Sequence, residues 1–237
     1  MSKRTDNLIQ GICGSPEHPL APFLHTWSAE SRPFLVFAES HATKLRKKAR
    51  LAASADERGD LLAELAVAAF LLRDRSFSVL YEPFRAAGQR GPDFQVTFKT
   101  HSSFLVEVTR PRWMEPPGGA LMGNTLKIAR VTCDKIGQCA PGTANLLVVV
   151  LPPGGERDSL VPGAVHLLGG PPRPGQLPEV QPEGVRDYHR HRQRLSGILL
   201  CSFEGGRLLP DLKLWQNPGA RHPLPPGVPQ ALARAAS

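Results

Sequence analysis

Hydrophobic and polar positions alternate with two different periods along this chain, and the changes of period mark its elements. Phe77-Ser78-Val79-Leu80-Tyr81-Glu82 reads as a strand, stopped by Pro83. Asp93 to Phe98 and Ser103 to Thr109 follow with a clean period of two. In the first, Phe94, Val96 and Phe98 share one face, and Asp93, Gln95 and Thr97 share the other. In the second, Phe104, Val106 and Val108 oppose Ser103, Leu105, Glu107 and Thr109. Asn145 to Leu151 is an apolar, β-branched run of the kind buried inside a sheet, and Gly197 to Phe203 predicts one more strand.

Helical periodicity predicts a segment from Phe34 to Leu51 that ends in a basic cluster. Ser54-Ala55-Asp56-Glu57 then has the S-x-x-E form of a capping box. The helix it starts, Glu57 to Arg73, is almost wholly apolar from Leu61 to Leu72, so it belongs inside a core. A further helix from Asn124 to Cys139 carries the stripe Leu126, Ala129, Cys133 and Ile136. A Pro- and Gly-rich interval from Pro152 to Gly184, with a short helix at Ala164–Leu168, leads to a basic helix near Val185–Leu195. Residues 1–33 read as loosely ordered, and a Pro-rich tail closes the chain. The expected division is an N-terminal extension with a basic helix (1–53), a core (54–151), and a C-terminal region (152–237) that packs on the core.

If Lys99-Thr100-His101 form the hairpin loop, Phe94 faces Val106 and Val96 faces Phe104 across the two strands. Asp93 then stands opposite Glu107. Like charges opposed across strands destabilise the pair, and a bound cation removes that penalty. The predicted register therefore itself argues for a metal ion.

At 237 residues, 41% of them hydrophobic and 21% charged, the chain suits one sizeable globular core. Its longest apolar run is about seven residues, against the ~20 needed to span a bilayer. No apolar signal-peptide core follows the basic N-terminus, so a cytoplasmic protein without a membrane partner is expected. The four cysteines show no zinc spacing, and Cys133 and Cys201 read as buried free thiols. Net charge is +8 and the pI about 9.7, which directs attention to nucleic acid. The excess is concentrated in Lys44, Arg46, Lys47, Lys48 and Arg50, and again in Arg186, Arg190, Arg192 and Arg194 with His189 and His191.

The predicted order, helix, strand, two-stranded hairpin, helix, strand, resembles the αβββαβ core of the PD-(D/E)XK nuclease superfamily. The residues that carry the resemblance are Pro92-Asp93 and Glu107-Val108-Thr109, with Glu64 in the preceding helix. It covers about Ser54 to Leu151 and implies a restriction-endonuclease-like α/β fold: a central mixed sheet flanked by helices, with N-terminal helical and C-terminal extensions. It also implies a metal-dependent nuclease acting on nucleic acid, with DNA favoured over RNA by the family alone. Asp93, Glu107 and the Val108 carbonyl would hold Mg²⁺ or Mn²⁺, with Glu64 assisting. Such a hard cation takes oxygen ligands and activates water for attack on phosphorus.

Thr109 stands where the family has a lysine, and threonine cannot orient or activate water as a lysine does. Arg110 is adjacent but points to the other face. Lys127, Lys135 and Gln138 on the following helix are the replacements. Relative to Leu126, Lys127 and Gln138 lie about 100° and about 120° around the helix, while Lys135 lies nearly opposite the core. The family analogy nonetheless favours a lysine three residues before a glutamine. Arg90, Arg110, Arg112, Trp113 and Arg190 are the candidate nucleic-acid contacts, guanidinium groups for phosphate and the indole for stacking. The alternative expectation is a nuclease-like fold that has lost catalysis and binds nucleic acid or a protein partner. A homodimer also stays open.

Overall fold

A computed structural model describes residues 3–84, 91–112, 121–154, 157–170 and 180–236, with only the backbone for 121 and 122. In chain order its elements are α1 (Lys3–Cys13), α2 (Ala21–Glu30), α3 (Arg32–Ser40), α4 (Ala42–Leu51), α5 (Ala55–Leu71), β1 (Phe77–Tyr81), β2 (Phe94–Phe98) and β3 (Ser102–Thr109). Next come α6 (Leu121–Ile136), β4 (Ala144–Val150), α7 (Leu160–Gly169) and α8 (Pro182–His191), the last running into a single 3₁₀ turn. β5 (Gly197–Cys201), β6 (Phe203–Glu204), β7 (Arg207–Leu208), β8 (Lys213–Gln216) and α9 (Val228–Ala236) complete the described residues.

Local chemistry explains the boundaries that matter most. The Ser54 hydroxyl accepts from the Glu57 amide at 3.1 Å, and the Glu57 carboxylate accepts from the Ser54 amide at 2.9 Å. This is the reciprocal capping box that starts α5. Every residue from Leu65 to Leu71 is buried, as an apolar central helix requires. The Phe34–Leu51 segment is not one helix. It breaks at His41, where φ −113° and ψ 11° leave the helical basin.

The reading of residues 1–33 as loosely ordered is corrected by α1 and α2. Thr5, Ile9 and Ile12 make the buried stripe of α1, and Leu24 and Trp27 anchor α2. The prolines and glycines that suggested disorder stand at the ends of these helices: Gly14 ends α1 with φ 75°, and Pro22 occupies the first turn of α2.

Six strands form one mixed sheet in the order β1-β2-β3-β4-β5-β8. β1, β2 and β3 are antiparallel neighbours, β3, β4 and β5 are parallel, and β8 is antiparallel to β5. Phe94 pairs with Val106 and Val96 with Phe104, the predicted register. The loop is Lys99 to His101, and Lys99 takes the left-handed position (φ 57°) usually given to glycine. All seven residues of β4 are buried, because helices cover both faces of the sheet. One apolar cluster joins α1–α5 and α9 to the face bearing Phe104, Val106 and Val108, and a second joins α6–α8 to the other face. The C-terminal region contributes β5 and β8 to this same sheet.

Cys133 and Cys201 are buried free thiols, as expected, and burial pushes the Cys133 thiol up to about 12. No helix among the described residues is long and apolar enough to cross a membrane.

Candidate active site: carboxylates and lysines at the head of the β2–β3 hairpin

Asp93 sits immediately before β2 and is held from both sides. Its carbonyl accepts from the Glu82 amide at 2.7 Å, just beyond β1. Its Oδ2 accepts from the Val108 amide at 2.8 Å, on β3. Burial, then the charges of Glu64 and Glu107, hold the Asp93 carboxyl well above the ordinary carboxylate range; the Val108 amide and Lys48 oppose that rise. Three acidic groups therefore act on one small volume.

Glu107 projects from β3 toward α6. Lys135 Nζ lies 2.6 Å from its Oε1, with side-chain exposures of 28% for the lysine and 14% for the glutamate. Oε2 is buried and has no hydrogen-bond partner. Burial raises the Glu107 pKa above its usual value although Lys135 pulls the other way, and Glu64 adds to the rise. Lys135 thus neutralises one oxygen directly, and the Asp93 backbone also favours the charged form.

Glu64 reaches the cluster from α5. Its Oε2 accepts from the Tyr81 hydroxyl at 2.5 Å and from Lys48 Nζ at 2.7 Å. Lys48 also meets Glu82 Oε1 at 3.2 Å and stands 4.9 Å from the centroid of the Tyr81 ring. Burial works against the Lys48 charge, but Glu64, Glu82 and Asp93 together hold its pKa above the usual lysine value. Burial and then the Glu64 charge raise the Tyr81 phenol, so it remains a donor. Glu82 itself has φ 46°. Lys44 Nζ closes the corner by donating to the carbonyls of Tyr81 and Glu82 at 2.9 and 3.2 Å.

Of the other candidates, Lys135 is the one the helical wheel misplaced. The buried face of α6 is Thr125, Ile128, Ala129, Thr132, Cys133 and Ile136, while Leu126, the reference chosen from sequence, is only half-buried. The true centre of that face lies about 90° from Leu126, which moves Lys135 from opposite the core to its flank. Lys127 moves away from the acids, and its Nζ donates instead to the Arg112 carbonyl. Gln138 is exposed but lines the same cleft as Pro92, Glu107 and Lys135. Thr109 is half-buried, two residues beyond Glu107 on the strand.

Val108 contributes its amide to Asp93, and its side chain packs into the core on the opposite face. Arg110 turns to that face and binds α5: Nε meets Asp60 Oδ1 at 3.1 Å and Nη2 meets Asp56 Oδ1 at 3.3 Å. Arg112 Nε is 3.1 Å from Asp56 Oδ2. Arg190 is exposed on α8, 3.8 Å from Asp187. Arg90 and Trp113 lie outside the described residues.

Lys48, Tyr81 and Glu82 escape the sequence reading as site residues, although Lys48 and Tyr81 each carry a signal. Lys48 falls beside the buried stripe of Leu45 and Ala49 on α4. Tyr81 shares the inward face of β1 with Phe77, and a buried phenol needs a partner. The basic cluster on α4 is consequently not a uniform surface patch. Lys44 and Lys48 face inward and Arg46 donates to the Gly11 carbonyl, whereas Lys47 and Arg50 are exposed.

Among the described residues, no group of three or more His, Cys, Asp or Glu side chains is arranged to hold a metal ion. A hard divalent cation needs fewer, since one or two carboxylates with water and phosphate oxygens suffice. Asp93 and Glu107 fit that requirement: both carboxyl pKa values are raised by burial and by the charge of Glu64, and Glu107 Oε2 is buried. Comparison of the chain with protein-family models, with curated proteins and with solved structures gives no match.

Proposed function

We propose that this protein is a metal-dependent nuclease that hydrolyses phosphodiester bonds, in DNA before RNA, at the Asp93–Glu107 pair. The observation that carries the reading is the Lys135 ammonium 2.6 Å from Glu107 Oε1, beside the strand position where Thr109 replaces a lysine. The order α5-β1-β2-β3-α6-β4 supports a restriction-endonuclease-like core around it.

Each residue then has a distinct task. Asp93, fixed by the Val108 amide, and Glu107 offer carboxylate oxygens to Mg²⁺ or Mn²⁺. Bound there, such a cation supplies Lewis acidity and lowers the pKa of water. Lys135 orients the attacking water and offsets the negative charge that grows on the phosphoryl oxygens. Gln138 lines the approach. The exposed cations of α8 and the turn after it, Arg190 and Arg192, would contact phosphate.

Supercoiled plasmid and single-stranded DNA, incubated with purified protein and Mg²⁺ or Mn²⁺, test the proposal. Metal-dependent cleavage that disappears in Asp93→Ala and Glu107→Ala supports it. One observation favours a second reading, a catalytically silent module that binds nucleic acid or a protein: Glu107 and Glu64 already have lysine partners. Binding without cleavage, unchanged by either substitution, would establish that reading instead.

A further inference from the structure

A hollow of about 500 Å³ opens between α2, the C-terminal half of α5, the β6–β7 hairpin and α9, and shares no lining residue with the carboxylate cluster. Its floor follows from α5. Ala66, Ala69, Phe70 and Arg73 stand at i, i+3, i+4 and i+7, so they form one stripe that runs just past the end of the helix. Elsewhere α5 buries Leu65, Val67 and Leu71, but here the stripe carries two alanines. The space that their methyl groups leave is the hollow, and its volume falls within the range of about 300–1,000 Å³ usual for small-molecule sites.

The walls are fixed by their own contacts. Trp27 Nε1 on α2 donates to the Gly206 carbonyl at 2.8 Å. Gly206, with φ 79°, lies so close to α2 that a Cβ there would stand 2.7 Å from Phe23 Cδ1 and 3.1 Å from Trp27 Cζ2. Phe203 pairs with Leu208 across the hairpin, and both side chains line the hollow. Trp27, Phe70 and Phe203 therefore give it an aromatic lining on three sides, which suits a flat apolar ring.

The charged residues of the lining are Glu30, Arg73 and Arg207. Arg207 Nη2 is committed to Glu30 Oε1 at 2.6 Å. Arg73 is exposed, and its guanidinium makes no ion pair or hydrogen bond among the described residues. One positive charge is thus left over, on a planar fork of N–H donors that matches a carboxylate two-to-two. A phosphate ester carries about −1.5 to −2 charges and would bring its excess toward Glu30. We infer that this hollow binds a small monocarboxylic acid with an aromatic body, its ring among Trp27, Phe70 and Phe203 and its carboxylate on Arg73. The inference is independent of metal binding by Asp93 and Glu107.

Isothermal titration calorimetry of the full chain with indoleacetate and naphthylacetate tests this, with the uncharged amides of both acids as controls. At least one acid should bind saturably at one site per chain, and its amide should bind at least about 10-fold more weakly, since a hydrogen-bonded charge is lost. Arg73→Ala should weaken the acid by a similar factor, and Arg73→Lys, which keeps the charge without the fork, by less. Ala69→Leu puts a larger side chain into the hollow and should abolish binding. Arg73 is exposed, so its variants decide the question if Ala69→Leu does not fold. Lys135→Met, which alters the carboxylate cluster instead, should bind the acid as the wild type does.

Saturable binding of neither acid would overturn the inference. So would an amide that binds as tightly as its acid, or an affinity that Arg73→Ala leaves unchanged. Loss of binding in Lys135→Met with none in Arg73→Ala would place the acid at the carboxylate cluster and overturn it equally.

Discussion

Lys135 Nζ lies 2.6 Å from Glu107 Oε1, joining the middle of the α6-facing side of the sheet to the last turn of α6. The pair sets a lysine beside the carboxylate from a helix, where the strand itself offers only Thr109. General acid–base and charge-offsetting groups of this kind contribute about 10²–10⁴-fold to rate. Lys135→Met should therefore lower metal-dependent cleavage at least about 100-fold while Mn²⁺ still binds. Thr109→Lys in that background should recover part of the loss, since residue 109 shares its strand face with Glu107. Equal cleavage by wild type and Lys135→Met would remove Lys135 from the chemistry.

The raised carboxyl of Asp93 makes a second prediction, about stability against pH. Its folded-state pKa lies above the unfolded value because of burial, Glu64 and Glu107. The unfolded chain then releases its proton first, so metal-free protein loses stability as pH rises from the unfolded pKa through the folded one. Glu107, also raised, acts in the same direction. Asp93→Asn keeps an acceptor for the Val108 amide and removes the charge. It should flatten this slope and raise Tm at neutral pH by at least about 2 °C, the shift that roughly 1 kcal/mol gives a chain of this size. Scans of metal-free protein across pH would show it, and added Mn²⁺ should stabilise the wild type most at the alkaline end. A wild-type Tm that rises with pH in this window would contradict the assignment.

These relationships were unequally legible in the chain. The Asp93–Glu107 juxtaposition could be read because Phe94 to Phe98 and Phe104 to Val108 alternate without interruption and only a short loop separates them. The loop falls at Lys99 to His101 as predicted, with Lys99 taking the positive φ that glycine usually supplies. Lys135 was misplaced because the stripe was centred on Leu126, and buried threonines, which an apolar stripe does not show, gave no correction. Thr132 turns its hydroxyl back to the Ile128 carbonyl at 2.8 Å and so can sit in the core. Taking half-buried Leu126 into the stripe and leaving out fully buried Ile128 rotated the whole wheel. Lys48 was hidden differently, as one cation in a run where Lys47 and Arg50 do face solvent. α9 had a readable stripe in Val228, Ala231, Leu232 and Ala235, obscured by the Pro-rich stretch before it.

Ser54 tests the local physics of the central helix. Ser54→Ala removes the hydroxyl that accepts from the Glu57 amide. A lost N-cap costs about 1 kcal/mol, so Tm should fall by about 2–4 °C, with metal binding unchanged once the protein is folded. A thermal melt at neutral pH measures the shift. An unchanged Tm would mean that packing around Leu65 to Leu71, not the cap, sets the stability of α5.

Nucleic-acid binding through α8 has its own signature. Arg190 and Arg192 are exposed, and Arg190 stands as far as 3.8 Å from Asp187. If both touch phosphate, Arg190→Ala with Arg192→Ala should weaken binding to any DNA sequence. It should also reduce the slope of log affinity against log salt by about 2, roughly one unit for each phosphate that is no longer neutralised. A slope that stays the same would move the nucleic-acid surface elsewhere on the molecule.

The central claim, that Asp93 and Glu107 share one divalent cation, is met most directly by a crystal soaked in Mn²⁺. The account predicts a single anomalous peak within coordination distance of both carboxylates, with Glu107 Oε2 among the ligands and Lys48 still between Glu64 and Glu82. A soak at saturating Mn²⁺ with no peak there, and Glu107 bound only to Lys135, would contradict it.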